Sequence, residues 1–359
     1  MTFVLGRTGG LDDGPTGRLG YYRALDDSRG TELHLDLDEP HAVLLVGKRG
    51  YGKSFTLGVV AEELSRVPGI APVVIDPMGV FSTLAQATGD SSVRARVIDS
   101  PTVAPSALEP RSWCELLNLS PESGAGSLVW QAAAGAATMD EMQIRIESSD
   151  APGVDRRTAT NHLELAQSWN VFDESGLDAT ALDGSPVTVV DVSKLDTAPM
   201  NAVCRAIVEG VYRARVSERT KRIPWLLLDE AHAFFEGIAG PALRTVLTRG
   251  RAPGVSLVAA TQRPSAVPAV GISQSDVVIT HRLTSRADFE ALERARPTYF
   301  EASITERMPT EPGDVVVTDD ATETVHAARI RERATPHAGD SPKASDAAVD
   351  RTDETGRTP

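Results

Sequence analysis

The feature that most constrains the fold is an eight-residue segment, residues 47–54, with the sequence GKRGYGKS. It matches the pattern G-x-x-x-x-G-K-[ST], in which backbone N–H groups surround a β-phosphate and the lysine reaches the β- and γ-phosphate oxygens. With 29 glycines and five lysines in 359 residues, chance gives on the order of 0.005 matches. The segment therefore predicts a phosphate-binding loop and argues against a glycine-rich turn without a ligand.

The segments on either side of this loop have the patterns that its mechanism needs. Residues 42–46 form a continuous apolar run, which is typical of a central parallel strand. Residues 57–64 carry apolar side chains at helical spacing, and residues 71–76 follow as a second buried strand. Strand, loop, helix and strand make a βαβ unit, so we expect an α/β fold.

The loop composition assigns the first candidate site residues. Lys53 is predicted to contact the phosphates of ATP, and the Ser54 hydroxyl is predicted to bind Mg²⁺. Arg49 and Tyr51 either contact the nucleotide or simply project from the loop. The predicted nucleotide-binding residues are Gly47, Lys48, Arg49, Gly50, Tyr51, Gly52, Lys53, Ser54 and Phe55.

A second candidate element is the acidic pair Asp229 and Glu230, which follows a buried strand at residues 225–228. Successive strand residues point to opposite faces, so the two carboxylates are placed for two different tasks. We expect Asp229 to bind Mg²⁺ together with Ser54, and Glu230 to polarise the attacking water. The alternative is a solvated pair that opens a helix. His232 completes a D-E-A-H string, and packing or covering the nucleotide is the favoured role for it.

Polar and basic residues around the next apolar strand complete the predicted site. Gln262 follows the strand at residues 255–260 and is the candidate sensor of the γ-phosphate or of the attacking water. The alternative is an amide that only caps the loop. Arg249 and Arg251 lie in a basic loop just before this strand. An arginine from this loop is a candidate to stabilise charge on a phosphate, in the same subunit, in a neighbouring subunit or in DNA.

Composition limits where such a protein works. The 36 basic and 50 acidic residues give a net charge of −14, and the five lysines leave 31 arginines. We favour salt adaptation as the reason, although a GC-rich genome gives a similar bias. A strongly acidic chain argues against a nucleic-acid binder, because such proteins usually carry a basic surface. Neither a membrane span nor an export signal is apparent, so we expect a cytoplasmic protein that does not associate with membranes.

The order of the motifs resembles the HerA/FtsK superfamily of hexameric DNA-pumping ATPases, and most closely the archaeal HerA branch with its DUF87 central domain. The phosphate loop, D-E-A-H, R-G-R-x-x-G-V and A-T-Q-R-P-S occur in the family order, and matches to the family extend over residues 18–331. Lys48 is comparable to the signature lysine in the loop of the MinD/ParA family. Because a lysine beside the first loop glycine is also common in the HerA family, Lys48 does not favour MinD/ParA.

This resemblance implies a RecA-like P-loop core. The residue pattern adds a mostly helical insertion, which is also typical of the family, and a short N-terminal β segment. The expected division is a β segment at 1–40, a core in two parts at 41–100 and 186–333, a mostly helical insertion at 101–185, and a disordered acidic tail at 334–359. It also implies ATP and Mg²⁺ as ligands, double-stranded DNA as a partner, a homo-hexameric ring and, in some members, a NurA-type nuclease.

Two departures from the family pattern leave alternatives open. Met78 and Val80 stand where many HerA-like chains have histidine and glutamate, and the N-terminal segment is too short for the family's barrel. The leading interpretation is a DNA translocase or helicase with DNA-stimulated ATPase activity. A motor for conjugation, secretion or virus-genome packaging is the first alternative. The second is an ATP-dependent switch that binds a protein partner through the insertion.

Overall fold

One mixed β-sheet of twelve strands runs through the part of the chain that the structure describes. The structure is a computed structural model and describes residues 4–24, 26, 28–86, 93–184, 186–294 and 308–339. In chain order the strands are β1 (Val4–Leu5), β2 (Thr16–Arg23), β3 (Arg29–Asp36), β4 (Ala42–Val46), β5 (Ile70–Asp76), β6 (Ala95–Ile98), β7 (Val187–Asp191), β8 (Ile223–Leu228), β9 (Ser256–Thr261), β10 (Val277–Thr280), β11 (Asp314–Asp319) and β12 (Thr324–Ile330).

Seven strands form a parallel region in the order β10-β4-β9-β8-β5-β7-β6. Parallel neighbours cannot be joined by tight hairpins, so each connection crosses a face of the sheet. The carboxyl ends of β4, β8 and β9 consequently lie at one edge, next to each other. This arrangement confirms the predicted α/β fold with a P-loop core, and it brings the loop after β4 close to the segments that follow β8 and β9.

The other side of the sheet is mostly antiparallel. β11 pairs with β10, β12 pairs with β11, and the N-terminal strands continue the sheet through β2, β3 and β1. β11 and β12 form a hairpin. Its pairing with the N-terminal β segment was not predicted, because local patterns do not reveal which distant strands become neighbours.

Helices cover both faces of the parallel region. They are α1 (Lys53–Leu64), α2 (Pro110–Leu116), α3 (Gly124–Gly135), α4 (Met139–Glu147), α5 (Gly153–Ser168), α6 (Ala179–Leu182), α7 (Thr197–Val216), α8 (His232–Phe235), α9 (Gly240–Arg249), α10 (Ala269–Ser273) and α11 (Arg286–Arg294). Side chains alternate along β4, so that Val43 and Leu45 pack into the core with α1, whereas Leu44 and Val46 pack into the core with α7.

The insertion consists of α2 to α6 and packs on the α7 face of the sheet. Capping side chains explain where two of its helices begin: Ser123 accepts a hydrogen bond from the Gly126 N–H, and Thr138 accepts one from the Glu141 N–H. The insertion core includes the fully buried Trp113, whose Nε1 donates to the Pro105 carbonyl at 3.1 Å. The indole is therefore buried without leaving its donor unsatisfied.

Two chain segments differ from the sequence-based expectation. β6, a short strand at the sheet edge, was not predicted. The tail was expected to begin at Ala334, but residues 334–339 lie against α1, where Thr335 is buried. The remainder of the expected tail, residues 340–359, lies outside the described residues. No helix in the described ranges is long and apolar enough to cross a membrane.

A buried histidine joins the N-terminal strands to the parallel region. His41 Nε2 lies 2.9 Å from Asp36 and Nδ1 lies 3.2 Å from Asp276. Carboxylates only accept hydrogen bonds, so both ring nitrogens donate and the ring is an imidazolium. Burial alone would lower the pKa of His41, but the hydrogen bonds to the two carboxylates raise it from 6.5 to about 9. Arg7 and Arg251 face the same carboxylates, and Asp319 faces the histidine.

This pKa predicts that the free energy of unfolding depends on pH. The folded-state pKa lies above the unfolded value, so the stabilisation is complete below pH 6.5 and is lost as the pH rises through about 9. The difference corresponds to roughly 3 kcal/mol. Urea denaturation across this range should show the decrease, and His41→Gln should largely remove it. His162→Gln, on α5, is the control. An equal slope in the His41→Gln protein would contradict the assignment.

Candidate nucleotide-binding site

The phosphate loop connects β4 to the first turn of α1, as predicted. Gly50 and Gly52 have φ angles of 82° and 98°. Glycine adopts such positive values readily, whereas a residue with a Cβ atom is strained there. These two glycines allow the chain to fold back before α1 begins at Lys53. The backbone N–H groups of the loop and of the helix N-terminus therefore face the same space, and such groups favour a bound anion.

Lys53 is held at the centre of this space. Its side chain is buried, with 5% of the residue exposed, and Nζ donates to the Lys48 carbonyl at 3.1 Å. Burial lowers the pKa of Lys53, while the charges of Glu230 and Asp229 raise it in part. Because the Lys53 ammonium group has little water around it, a bound phosphate would form a strong charge-assisted hydrogen bond with it.

Ser54, in the first turn of α1, lies next to Asp229, which follows the carboxyl end of β8. The Ser54 hydroxyl donates to Asp229 Oδ2 at 2.6 Å, although the residues are 175 positions apart. Asp229 is only 1% exposed, and burial raises its pKa while the bond from Ser54 lowers it in part. Both groups provide the hard oxygen ligands that Mg²⁺ prefers, and nucleotide-bound Mg²⁺ typically takes one or two protein ligands together with phosphates and water. The donor set therefore fits this ion.

Glu230 lies beside Asp229 in an unusual backbone conformation. Its φ is 44°, a left-handed value that costs free energy for a residue with a side chain. The Gln262 side chain lies close enough to the Glu230 carboxylate to lower its pKa in part, while Oε2 has no hydrogen-bond partner among the described residues. Burial raises the pKa of Glu230, and the nearby charge of Lys53 lowers it in part. The residue lines the cavity next to Lys53 and Ser54, while its Oε2 is buried against His232.

His232 supports this arrangement without lining the cavity. Its Nδ1 lies 3.3 Å from both Glu230 Oε2 and Thr261 Oγ1, but only the contact with Thr261 has hydrogen-bond geometry. Burial lowers the pKa of His232, so the ring is neutral near pH 7. His232 thus packs next to the acidic pair, which is one of the two roles that the sequence favours.

A residue that the sequence did not reveal supports the phosphate loop from below. His281, which follows β10, is fully buried, and its Nε2 lies 3.1 Å from Thr56 Oγ1. Its Cβ packs directly against Gly47, where an added methyl group would lie 2.5 Å away. Burial lowers the pKa of His281 to about 3, so this ring stays neutral. Since it lies in an ordinary polar stretch after a strand, no sequence pattern pointed to it.

The loop also makes contacts with the next residue, Arg282. The Lys48 N–H donates to the Arg282 carbonyl at 2.8 Å. Tyr51 lies between two cations, with Lys48 Nζ at 4.6 Å and Arg282 Cζ at 5.7 Å from its ring centroid. Lys48 and Tyr51 are thus engaged on the outer side of the loop and, with Gly47, are not among the residues that line the cavity.

The site opens into a cavity of about 400 Å³. Six predicted nucleotide-binding residues line one end of it, together with Glu230. Met78 and Val80, which replace the histidine and glutamate of many family members, line it as well. The far side is formed by residues that the sequence did not indicate. The cavity lining comprises Arg49, Gly50, Gly52, Lys53, Ser54, Phe55, Met78, Val80, Glu230, Pro312, Gly313, Arg329, Ile330, Glu332, His337 and Gly339.

The structure does not bring Arg249 and Arg251 to this site. Arg249 ends α9, and Arg251 lies before the start of β9. Both are therefore near the amino-terminal ends of the parallel strands, whereas the phosphate loop follows the carboxyl end of β4. Arg251 is 3.8 Å from Asp276 and 3.9 Å from Glu39. A six-residue strand spans about 16 Å, so neither arginine can reach a phosphate bound at the loop of the same chain.

A basic cluster near the end of α7 is also engaged within the chain. Arg213 donates to the Ala107 carbonyl, Arg215 to the Pro253 carbonyl and Arg222 to the Pro68 and Asp183 carbonyls. These guanidinium groups link α7 to neighbouring loops. They explain part of the arginine content as local structure.

Comparisons with known proteins agree with this geometry. The DUF87 family, described as the central domain of helicase HerA, matches residues 19–211, which is more than half of the chain. The structure of VirB4 of Thermoanaerobacter pseudethanolicus is similar, with 16% identity and a TM-score of 0.66, covering 90% of this chain and 98% of that chain. The bacterial conjugative coupling protein TrwB has 14% identity and a TM-score of 0.55, covering 85% and 88%. At such identities the two structures support the fold. No curated protein sequence matches.

Proposed function

The chain belongs to the DUF87 family of HerA central domains, among the HerA/FtsK-type P-loop ATPases, and we propose that it couples Mg-ATP hydrolysis to movement of double-stranded DNA. The observation that carries the hydrolytic part is the convergence of Lys53, Ser54, Asp229 and Glu230 at one end of the cavity. The four groups come from two pairs of adjacent residues about 175 positions apart, and one of them, Glu230, has a strained backbone. Such an arrangement is expected of a site that performs chemistry.

Each group has a separate task in this proposal. Lys53 and the loop N–H groups bind the β- and γ-phosphates and hold them against the N-terminus of α1. Glu230 accepts a proton from a water molecule in line with the γ-phosphate, while Gln262 fixes the carboxylate and contacts the same water. Ser54 and Asp229 would hold Mg²⁺. When bound, this ion neutralises charge on the phosphate oxygens.

The motor part of the proposal rests on family membership. Members of this superfamily work as rings, and we infer a homo-hexamer in which Arg249 or Arg251 reaches the nucleotide of the neighbouring subunit. The exposed position of Arg251 at the opposite sheet edge supports action between subunits. We also infer a cytoplasmic location, salt adaptation of the acidic surface, and a NurA-type nuclease as the partner to test by pull-down.

One observation favours a second candidate function. Val80 presents an apolar side chain to the cavity, where many family members are expected to have a carboxylate. If that carboxylate links hydrolysis to neighbouring subunits, its loss favours an ATP-dependent switch that binds a protein through the insertion. A motor for conjugation, secretion or genome packaging would retain the same site and differ in the polymer that it moves.

DNA stimulation distinguishes the translocase from the switch. We expect double-stranded DNA to raise the ATPase rate several-fold, and the increase to shrink as salt rises, because each phosphate contact loses affinity with salt. The measurement is the ATPase rate with and without DNA at several salt concentrations, alongside particle mass. Particles of six chains are expected.

The Lys53→Ala protein sets the background rate in this assay. A native rate no higher than this background, with or without DNA, would contradict the whole proposal. A clear ATPase rate that DNA does not change, in particles of one chain, would instead favour the switch.

A further inference from the structure

The far wall of the cavity is formed by the C-terminal strap, which we define as residues 331–339. It leaves β12 and runs along α1, the helix that begins at the phosphate loop. Glu62 of α1 is fully buried and accepts hydrogen bonds from the Ala334 N–H at 3.1 Å, the Thr335 N–H at 2.8 Å and the Thr335 hydroxyl at 2.7 Å. One carboxylate therefore fixes two consecutive backbone groups of the strap.

Two arginines of the strap complete its attachment to α1. Arg331 Nη1 lies 2.8 Å from Glu62 Oε2, and its Nη2 donates to Glu63 Oε1 at 2.6 Å. Arg333 has a side chain that is 1% exposed and packs over Gly58, where an added methyl group would lie 2.6 Å from its Cζ. Separating such buried charges from each other is costly. The strap is accordingly a fixed part of the folded molecule.

This attachment places His337 beside the phosphate loop. Arg333 Nη1 lies 3.2 Å from His337 Nδ1. The imidazole lies edge-on to the Phe55 ring, with ring centroids 5.5 Å apart and an interplanar angle of 79°. Phe55 directly follows Ser54, and both rings line the same cavity as Lys53 and Ser54. The cavity thus has a cationic, hydrogen-bonding end and an aromatic end.

We propose that the aromatic end is the base subsite, where the purine ring of the nucleoside triphosphate stacks on His337 and packs beside Phe55. This inference rests on the proposed function, because it assumes that the triphosphate lies on the loop. With the phosphates bound at Lys53 and Ser54, the sugar and base must occupy the rest of the cavity. Ile330 and Pro312 add apolar surface there, and planar bases gain affinity from stacking on such rings.

Comparing two ligands separates contacts with the base from contacts with the phosphates. ATP has both parts, whereas inorganic tripolyphosphate has only the phosphates. His337→Ala should weaken ATP binding roughly tenfold and leave tripolyphosphate binding unchanged. His337→Phe keeps an aromatic ring and should restore most of the ATP affinity. His162→Ala, a histidine substitution on α5 outside the cavity lining, is the matched control. Isothermal titration calorimetry of the full chain measures both affinities, and thermal unfolding checks that each variant is folded.

Three outcomes would overturn the base subsite. One is unchanged ATP affinity in His337→Ala, and another is an equal loss for both ligands, which would mean that the strap acts on the phosphate loop. The third is failure of His337→Phe to recover any affinity. Native protein that binds neither ligand would overturn the proposed function as well, whereas Lys53→Ala is expected to lose both ligands.

Discussion

The Lys53→Ala protein is expected to hydrolyse ATP about 10² to 10³ times more slowly than the native protein and to lose most of its affinity for ATP. Lys53 is the buried cation at the phosphate end of the cavity. Its removal would leave Asp229 and Glu230 facing the phosphates with less positive charge to offset them. Because the site excludes much of the water, this repulsion is weakly screened. Steady-state ATPase rates and calorimetric ATP binding give the two quantities.

An exposed lysine provides the comparison for this experiment. Lys194 follows β7 on the surface and is not among the cavity-lining residues. Lys194→Ala should retain the native rate and affinity, because it changes net charge by the same amount without touching the site. A Lys53→Ala protein with near-native turnover would mean that hydrolysis occurs elsewhere on the molecule or not at all.

The chemical part of this site could be predicted from sequence because three signals coincide. The phosphate loop has a specific spacing, the strand before Asp229 is plainly apolar, and Gln262 follows another apolar strand. In a parallel sheet the carboxyl ends of neighbouring strands share one edge. The sequence thus predicted that Ser54 and Asp229 would meet. The structure adds the 2.6 Å contact between them and places Gln262 beside Glu230.

The supporting part of the site could not be predicted, because it depends on contacts between distant segments. His281 supports the phosphate loop from β10, and Glu62 binds the C-terminal strap across 273 positions. Neither residue belongs to a motif, and a buried glutamate on a helix looks like any exposed one in a sequence. The compositional shift at Ala334 also suggested a disordered tail. A segment with few apolar residues is predicted to be disordered from its composition. Composition alone cannot predict that hydrogen bonds and ion pairs hold such a segment in place.

The distribution of arginines illustrates the same limit. The basic loop with Arg249 and Arg251 suggested contacts with phosphates or DNA. In the structure, Arg213, Arg215 and Arg222 bind backbone carbonyls of their own chain, and Arg251 lies at the sheet edge opposite the loop. Guanidinium groups serve well as multiple donors to carbonyls. An arginine-rich, lysine-poor composition therefore reflects internal bonding as well as any ligand.

Replacement of Glu230 by glutamine separates binding from hydrolysis. Glutamine has nearly the same shape but cannot accept a proton from water, so we expect ATP binding to persist while the hydrolysis rate falls about 10² to 10⁴-fold. Glu230 must be ionised to act as a base, and burial raises its pKa above the ordinary 4.5. The native rate should therefore fall as the pH falls through this raised pKa, and that acid limb should be absent from the residual activity of Glu230→Gln.

The control for this substitution is Glu236→Gln, which changes charge by the same amount on the surface. Glu236 is exposed and pairs only loosely with Arg263, at 3.4 Å. It directly follows α8, six residues after Glu230 in sequence, and it is not among the residues that line the cavity. If Glu230→Gln hydrolyses ATP at the native rate, or keeps the same acid limb, another group removes the proton. If Glu230→Gln loses ATP binding as well, its role is to shape the cavity, since only the loss of turnover with binding retained identifies a base.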